Sequence, residues 1–311
     1  MNFILTGASS FTGYWFSKCL AERGHRVTAI FPREEKSYQG IRKERVKHVC
    51  TWTTPVFGAS FGDPLFLKTV LTHPVDLFCH HGAYVADYKS PSFDFALALS
   101  QNTQQIENVL RSLKDKGCEK ILLTGSVFEQ REGGGERSHL PVSPYGLSKG
   151  LTSDVFAYFA HALNFKLGKF VIPNPFGPYE EGRLTTYLAK QWLQKEVPEI
   201  AFPDYIRDNI FSSLLAKAYA FFAESLDDGS KFQTFRPSGY VEAQGVFVKR
   251  FSEEMEKRLG VKCPFRLKKQ THFSEPFFRT NSTHLDPDHY AWCESDAWDL
   301  LATYYLSTLR S

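Results

Sequence analysis

The strongest constraint on this 311-residue chain lies at its start, where the apolar run Phe3 to Leu5 leads at once into Thr6-Gly7-Ala8-Ser9-Ser10-Phe11-Thr12-Gly13. Apolar residues then recur at three- and four-residue spacing (Phe11, Trp15, Phe16, Cys19, Leu20) as far as Gly24. This reads as a strand, a glycine-bearing turn and an amphipathic helix. The rhythm repeats: strands are predicted at Val27 to Phe31, Val75 to Cys79, Lys120 to Leu123 and Lys169 to Ile172, with the clearest helices at Phe93 to Leu113 and Gly150 to Leu163. Strands alternating with helices pair in parallel through right-handed crossovers, which predicts an α/β fold with a doubly wound parallel sheet.

The rhythm changes after Pro173-Asn174-Pro175-Phe176-Gly177-Pro178. Helices are expected there at Leu184 to Lys195, Leu214 to Glu224, Ala243 to Leu259 and Ala297 to Leu309, joined by short strands and loops. Two domains follow as an expectation: residues 1–173 as a Rossmann-type dinucleotide-binding domain and 174–311 as a smaller substrate-binding region. Hydrophobic residues at 42% and charged residues at 23% exclude disorder as the main state. A net charge of +3 argues against nucleic acid or an anionic membrane as partner. Six scattered cysteines form no C-x-x-C pair or zinc spacing, so free thiols are expected. With no secretory leader pattern at the first residues and no apolar run near ~18 residues, a cytoplasmic location is expected. Gly133-Gly134-Gly135 neither follows a strand nor opens a helix, and is read as a mobile loop rather than a phosphate cradle.

Three segments carry chemistry. The first turn aims helix N-terminal amides where a pyrophosphate could sit, with small residues allowing close approach of the backbone. Tyr145-Gly146-Leu147-Ser148-Lys149 places a phenol and an ammonium one helical turn apart, and a nearby cation favours the phenolate a general acid/base needs. Thr124-Gly125-Ser126 ends a strand at the edge where open α/β sheets bind ligands. His80-His81 is a poor metal pair, because adjacent strand residues face opposite sides and no carboxylate or cysteine lies at ligand spacing; no metal is expected. Trp292, Trp298, Tyr304 and Tyr305 are read as core or interface.

In this order the segments resemble the extended branch of the short-chain dehydrogenase/reductase family: nucleotide-sugar epimerases, dehydratases and ketoreductases. The family's T-G-x-x-G-x-x-G matches at Thr6, Gly7 and Gly13, with Ser10 in place of the middle glycine. Its D-x-V-I-H-x-A-A is similar to Asp76 through Ala83, and its N-P-x-G-P to Asn174 through Pro178. Its R-D-x-I/V segment is similar to Arg207 through Ile210. The resemblance implies Tyr145 as acid/base, Lys149 as its modulator and Thr124 as the substrate-facing hydroxyl. It implies cofactor contacts at Gly7, Ser10, Phe11, Thr12, Gly13, Arg33, Asp63, Pro64, His80, Gly82, Ala83, Asn102, Tyr145, Lys149 and Pro173. Substrate contacts are implied at Thr124, Ser126, Tyr145, Asn174 and Arg207, and homodimerisation through the helices near 93–113 and 150–163. Gly125-Ser126 stands where the 4,6-dehydratases carry an Asp-Glu pair, which disfavours dehydration. A second substrate arginine is missing where it is expected, around Ser274 and Glu275; Arg279 is offset.

The second strand ends in Phe31-Pro32-Arg33, with no acid before Glu34, and an arginine there can pair a 2′-phosphate bidentately. NADP is therefore expected over NAD. Residues 33–47 hold six bases against three acids, and could equally be a solvated basic loop. The expected activity is hydride exchange between NAD(P) and a nucleotide-activated sugar, with an NADPH-dependent 4-ketoreductase favoured over a redox-neutral 4-epimerase. A cofactor-sensing regulator is disfavoured, since such proteins usually lose the tyrosine or lysine that this chain keeps.

Overall fold

Strands that are apolar on both faces can be satisfied only between two layers of helices. In the computed structural model, which describes residues 1–135, 139–227 and 230–309, the first such strand is β1 (Asn2–Thr6), with Phe3, Ile4 and Leu5 fully buried. There follow α1 (Phe11–Glu22), β2 (Arg26–Phe31), α2 (Gly40–Trp52), β3 (Thr54–Phe57), α3 (Pro64–Thr72) and β4 (Leu77–His80). Next come α4 (Phe95–Asn102), α5 (Ile106–Asp115), β5 (Lys120–Ser126), α6 (Pro144–Ala162) and β6 (Lys166–Ile172). These strands and the later Phe232–Phe235 make one seven-stranded parallel sheet, a Rossmann-type α/β fold. From β1 the order runs through β2 to β3 on one side, and through β4, β5 and β6 to Phe232–Phe235 on the other. The direction of winding reverses between β1 and β4, and the crevice at their C-terminal ends is where such sheets bind ligands.

Local chemistry sets the helix boundaries. Ser10, Asp63, Asp94 and Ser143 each accept a backbone N–H from the first turn of α1, α3, α4 and α6 respectively. α1 stops at Glu22, with Gly24 in the left-handed region at φ +82°. Three expectations need correction. Phe93 to Leu113 is not one helix: it breaks at Thr103–Gln105, where Gln105 takes φ +52° and the Gln104 carbonyl lies so close to Gly62 that a Cβ there would stand 2.0 Å from it. The helix expected at Gly150 begins at Pro144, six residues earlier, which puts Tyr145 in its first turn. The basic stretch near 33–47 is mostly α2, and Arg45 within it is fully buried.

Met1–Glu132, Ser138–Ile172 and Ala216–Arg236 form one compact unit; Gly133–Arg137, Pro173–Leu215 and Pro237–Ser311 form a second. The second contains β7 (Asn174–Phe176), α7 (Leu184–Leu193), β8 (Glu199–Ile200) and β9 (Ile206–Phe211), after which α8 (Ser212–Glu224) and β10 (Phe232–Phe235) run into the first. It resumes with β11 (Pro237–Ser238), β12 (Tyr240–Ala243), α9 (Gln244–Leu259), β13 (Arg266–Leu267), β14 (Phe278–Arg279), β15 (Thr283–His284) and α10 (Glu294–Thr308). β9 is its central strand, with β12 antiparallel on one edge and β14 and β7 parallel along the other. Trp298 and Tyr305 are buried, with Phe211 edge-on to Trp298 at 4.6 Å, so these aromatics are core. Gly133–Gly135 are all at positive φ and are anchored: Thr280 donates to the Gly133 carbonyl at 2.8 Å, and Gly134 and Gly135 lie against Phe278.

Candidate active site

In the first unit, Gly7 at φ +76° turns the chain out of β1, so close to Gly82 that a Cβ on Gly7 would sit 2.7 Å from the Gly82 nitrogen. Thr6 Oγ1 accepts the N–H groups of His81 and Gly82 at 3.1 and 2.8 Å, locking the two turns together. A Cβ on Gly13 would stand 2.2 Å from the Gly7 carbonyl oxygen, so α1 springs directly off the turn. Close backbone approach and an open helix N-terminus fit the pyrophosphate of a dinucleotide. Ser10, in the middle-glycine position, caps α1 by accepting the Gly13 N–H at 3.0 Å. Phe11 is buried in the first turn of α1, and Ala83 and Gly82 line the start of the loop after β4.

Of the two histidines, His80 points into the core between the rings of Phe61 and Phe156, so only its backbone can face a ligand. His81 turns the other way, with Nε2 3.0 Å from Ser10 Oγ and 3.1 Å from Thr12 Oγ1, and Nδ1 3.0 Å from Thr124 Oγ1. Burial and the charge of Lys149 pull its pKa down to about 3, so the ring is neutral. Asn102 is buried and holds the segment in place, accepting from the Tyr84 N–H at 2.8 Å and donating to Thr152 on α6 at 3.3 Å. Asp63 caps α3 with both oxygens, accepting from Phe66 and Ser60, and Pro64 occupies the first helical position. Arg33 is exposed at the end of β2, while Glu34 Oε1 lies against Gly58.

On α6, Lys149 is buried and its Nζ donates to the Thr124 carbonyl at 2.6 Å, which joins α6 to the end of β5. Desolvation lowers its pKa; the nearby Glu129 carboxylate opposes that and Lys169 adds to it. Tyr145 stands one turn earlier, framed edge-on by Tyr88, Phe93 and Phe128. Behind β5, Glu129 is fully buried: Oε1 accepts the Ser126 N–H at 2.7 Å, and Oε2 lies 2.7 Å from Lys169 Nζ. Lys169 also donates to Glu132, which Arg236 holds from its other side. Ser126 Oγ accepts from the Phe128 N–H and so belongs to the turn.

The second unit gathers its own polar site. Arg207 on β9 and Arg279 on β14 are register partners, both buried, and both donate to Glu275 Oε2, at 3.0 and 3.1 Å. The guanidinium of Arg207 lies 4.2 Å from the Tyr205 ring centre. Burial and the neighbouring Arg207 lower the Arg279 pKa to about 10. A cavity of about 180 Å³ is lined by Asn174, Glu180, Arg183, Asn209, Gln244 and both arginines, among others. The amide nitrogens of Asn174, Asn209 and Gln244 are buried without an acceptor. Pro173 immediately precedes β7. Arg279 stands opposite Arg207 by strand register, which the sequence does not show.

A family model described as "NAD dependent epimerase/dehydratase family" matches residues 3–236. The chain belongs to that family. In fold, this member of the NAD dependent epimerase/dehydratase family is similar to UDP-glucose 4-epimerase from Thermotoga maritima, solved with UDP-glucose (17% identity, 99% and 100% of the two chains covered, TM-score 0.73). It is similar as well to UDP-glucuronic acid 4-epimerase from Bacillus cereus, solved with UDP-glucuronic acid and NAD (16% identity, 99% of each chain, TM-score 0.71). A third similar structure is UDP-glucose 4-epimerase from Stenotrophomonas maltophila, with NAD and formylated UDP-arabinopyranose (18% identity, 100% and 99% covered, TM-score 0.72). No curated protein sequence matches.

For this epimerase/dehydratase family member, the structure brings the first turn, Gly82, Thr124 and Lys149 together within the first unit, and Asn174 and Arg207 within the second. Sequence reasoning did not single out His81, Glu129, Lys169, Glu180, Asn209, Gln244 or the pairing of Arg279 with Arg207. Only His81 left a signal, as one half of a histidine pair weighed solely as a metal ligand. Among the described residues no cluster is built to hold a metal ion, and no helix is long and apolar enough to cross a membrane.

Proposed function

We propose that the protein is an oxidoreductase or epimerase exchanging hydride between NAD(P) and a carbinol or ketone carbon of a nucleotide-activated sugar. The observation that carries this is the bond from Lys149 to the Thr124 carbonyl, which fixes the ammonium and the Thr124 hydroxyl on one framework, one helical turn from Tyr145. Bound dinucleotide supplies the hydride chemistry. Gly7, Ser10, Phe11, Thr12 and Gly13 hold its pyrophosphate, Asp63 and Pro64 its adenine end, and the backbone near His80, Gly82 and Ala83 the middle. Lys149 then favours the phenolate of Tyr145, which moves a proton to or from the sugar oxygen while Thr124 orients it. Asn174, Arg207 and Arg279 serve the anionic, acceptor-rich nucleotide portion.

Net 4-ketoreduction with NADPH is the preferred form, because exposed Arg33 lies two residues past the second strand with no acid before it, which suits a 2′-phosphate. Redox-neutral 4-epimerisation is the second reading, favoured by the structural neighbours, which are titled UDP-sugar 4-epimerases. A homodimer through α4 and α6 is proposed from the exposed Phe95, Leu97 and Tyr158 on those helices. The purified protein should consume NADPH with a 4-keto nucleotide sugar; turnover with no added coenzyme replaces the reductase reading with the epimerase one. Tyr145→Phe should lower kcat by about 10²- to 10⁴-fold in either case, and an unchanged kcat removes Tyr145 as the acid/base.

A further inference from the structure

The His81 ring spans the gap between the glycine turn and the end of β5. Its Nε2 edge faces two hydroxyls of the turn, Ser10 and Thr12, and its Nδ1 edge faces the hydroxyl of Thr124. The residue is held in place: the backbone N–H of His81 donates to Thr6 Oγ1, and Phe16 packs edge-on to the ring at 5.0 Å. The charged or titratable groups acting on it are Lys149 and the adjacent His80, itself neutral in the core. A neutral imidazole carries one N–H, so only one of the two edges can donate.

Counting protons decides which. Ser10 Oγ already accepts the Gly13 N–H, so its hydroxyl hydrogen is available to donate to Nε2. With Nε2 as acceptor, Nδ1 carries the hydrogen and donates to Thr124 Oγ1. Thr124 then keeps its own hydrogen to donate, either to the Tyr219 hydroxyl packed beside it or to a substrate oxygen that takes over that contact. In the opposite tautomer, Thr124 gives that hydrogen to Nδ1, and Nε2 donates to Ser10 or Thr12.

We infer that His81 is a positioning residue that acts in two directions: it turns Thr124 into a hydrogen-bond donor toward the substrate oxygen, and it braces the Ser10–Thr12 turn that carries the coenzyme pyrophosphate. The inference rests on the function proposed above. It also links the serine at the fingerprint's middle-glycine position to the histidine, since that hydroxyl is placed to donate to Nε2.

The two edges can be removed separately. The amide nitrogen of asparagine reproduces an Nδ1 donor, whereas glutamine reaches as far as Nε2. Steady-state kinetics, coenzyme titration by fluorescence and thermal melts of the full-length His81→Gln and His81→Asn proteins form the test. His81→Gln should lower kcat about tenfold, the effect of one hydrogen bond, with KM for the sugar and Kd for coenzyme near the parent's. His81→Asn should hold kcat within about threefold and weaken coenzyme binding about tenfold. Parallel losses of kcat, affinity and Tm in both variants mean a merely structural histidine and overturn the inference. If the parent turns over no nucleotide sugar, the proposed function fails on its own. Coenzyme affinity alone then decides: weaker binding in His81→Asn than in His81→Gln supports the brace, and equal binding overturns it.

Discussion

His80 lies between two phenylalanine rings with 2% of its surface exposed, and burial, with Lys149 adding to it, pulls its pKa from 6.5 down to about 3. Above pH 6.5 neither the folded nor the unfolded chain protonates it. Below that value the unfolded chain takes up a proton that the folded one refuses, so this contribution to stability is complete above 6.5 and falls as the pH drops toward 3. The loss should reach about 1.4 kcal/mol per pH unit on that limb. Urea midpoints at pH 7, 6 and 5 should therefore decline less steeply in His80→Leu than in the parent, and equal slopes would exclude His80 as the source. At this scale the site was largely legible: Gly7, Thr124, Tyr145 and Lys149 announce themselves by residue type and spacing. Arg279 did not, because its meaning comes from the residue across the strand.

Among the elements, α6 shows how a signal can be read and still misplaced. Ser143 and Pro144 are strong start markers, but Gly146 and Gly150 weaken the apparent helix and push the reading toward its second half. Both glycines answer to packing: a Cβ on Gly146 would lie 2.1 Å from the Phe128 carbonyl, and one on Gly150 2.1 Å from the Gln130 side chain. The segment after β5 thereby rests on the helix that carries Tyr145 and Lys149. The same segment is tied to β6 by Lys169, which pairs with both of the buried carboxylates, Glu129 and Glu132, the latter shared with Arg236. Lys169→Met leaves those carboxylates poorly compensated and should cost about 3–5 kcal/mol by chemical denaturation. Adding Glu129→Leu should recover part of the loss, while a cost below about 1 kcal/mol for Lys169→Met alone would mean that the cluster is readily hydrated.

For the molecule as a whole, the alternating pattern revealed five strands of the large sheet but neither β3 at its one edge nor β10 at the other. β10 pairs with β6 from Phe232↔Leu167 to Phe235↔Phe170, after the chain has built much of the second unit. Tyr219, on the same return segment, stacks flat on Phe16 of α1 at 3.8 Å, and Arg236 completes the ion cluster. No periodicity within residues 1–173 could disclose partners that lie beyond them. A protein ending at residue 173 should therefore lack a sharp, cooperative melt, whereas one ending at 236 carries every strand of the sheet; a sharp melt from the shorter piece would make the return segment dispensable. The return segment also bears on synthesis. A ribosome releases Lys166–Ile172 some sixty residues before Phe232–Phe235, and during that interval the outer edge of β6 presents unpaired backbone groups to whatever strand is nearby. The nascent chain is most exposed to mispairing just when its glycine turn is already complete, so slowing elongation through residues 173–231 should lower the yield of folded protein.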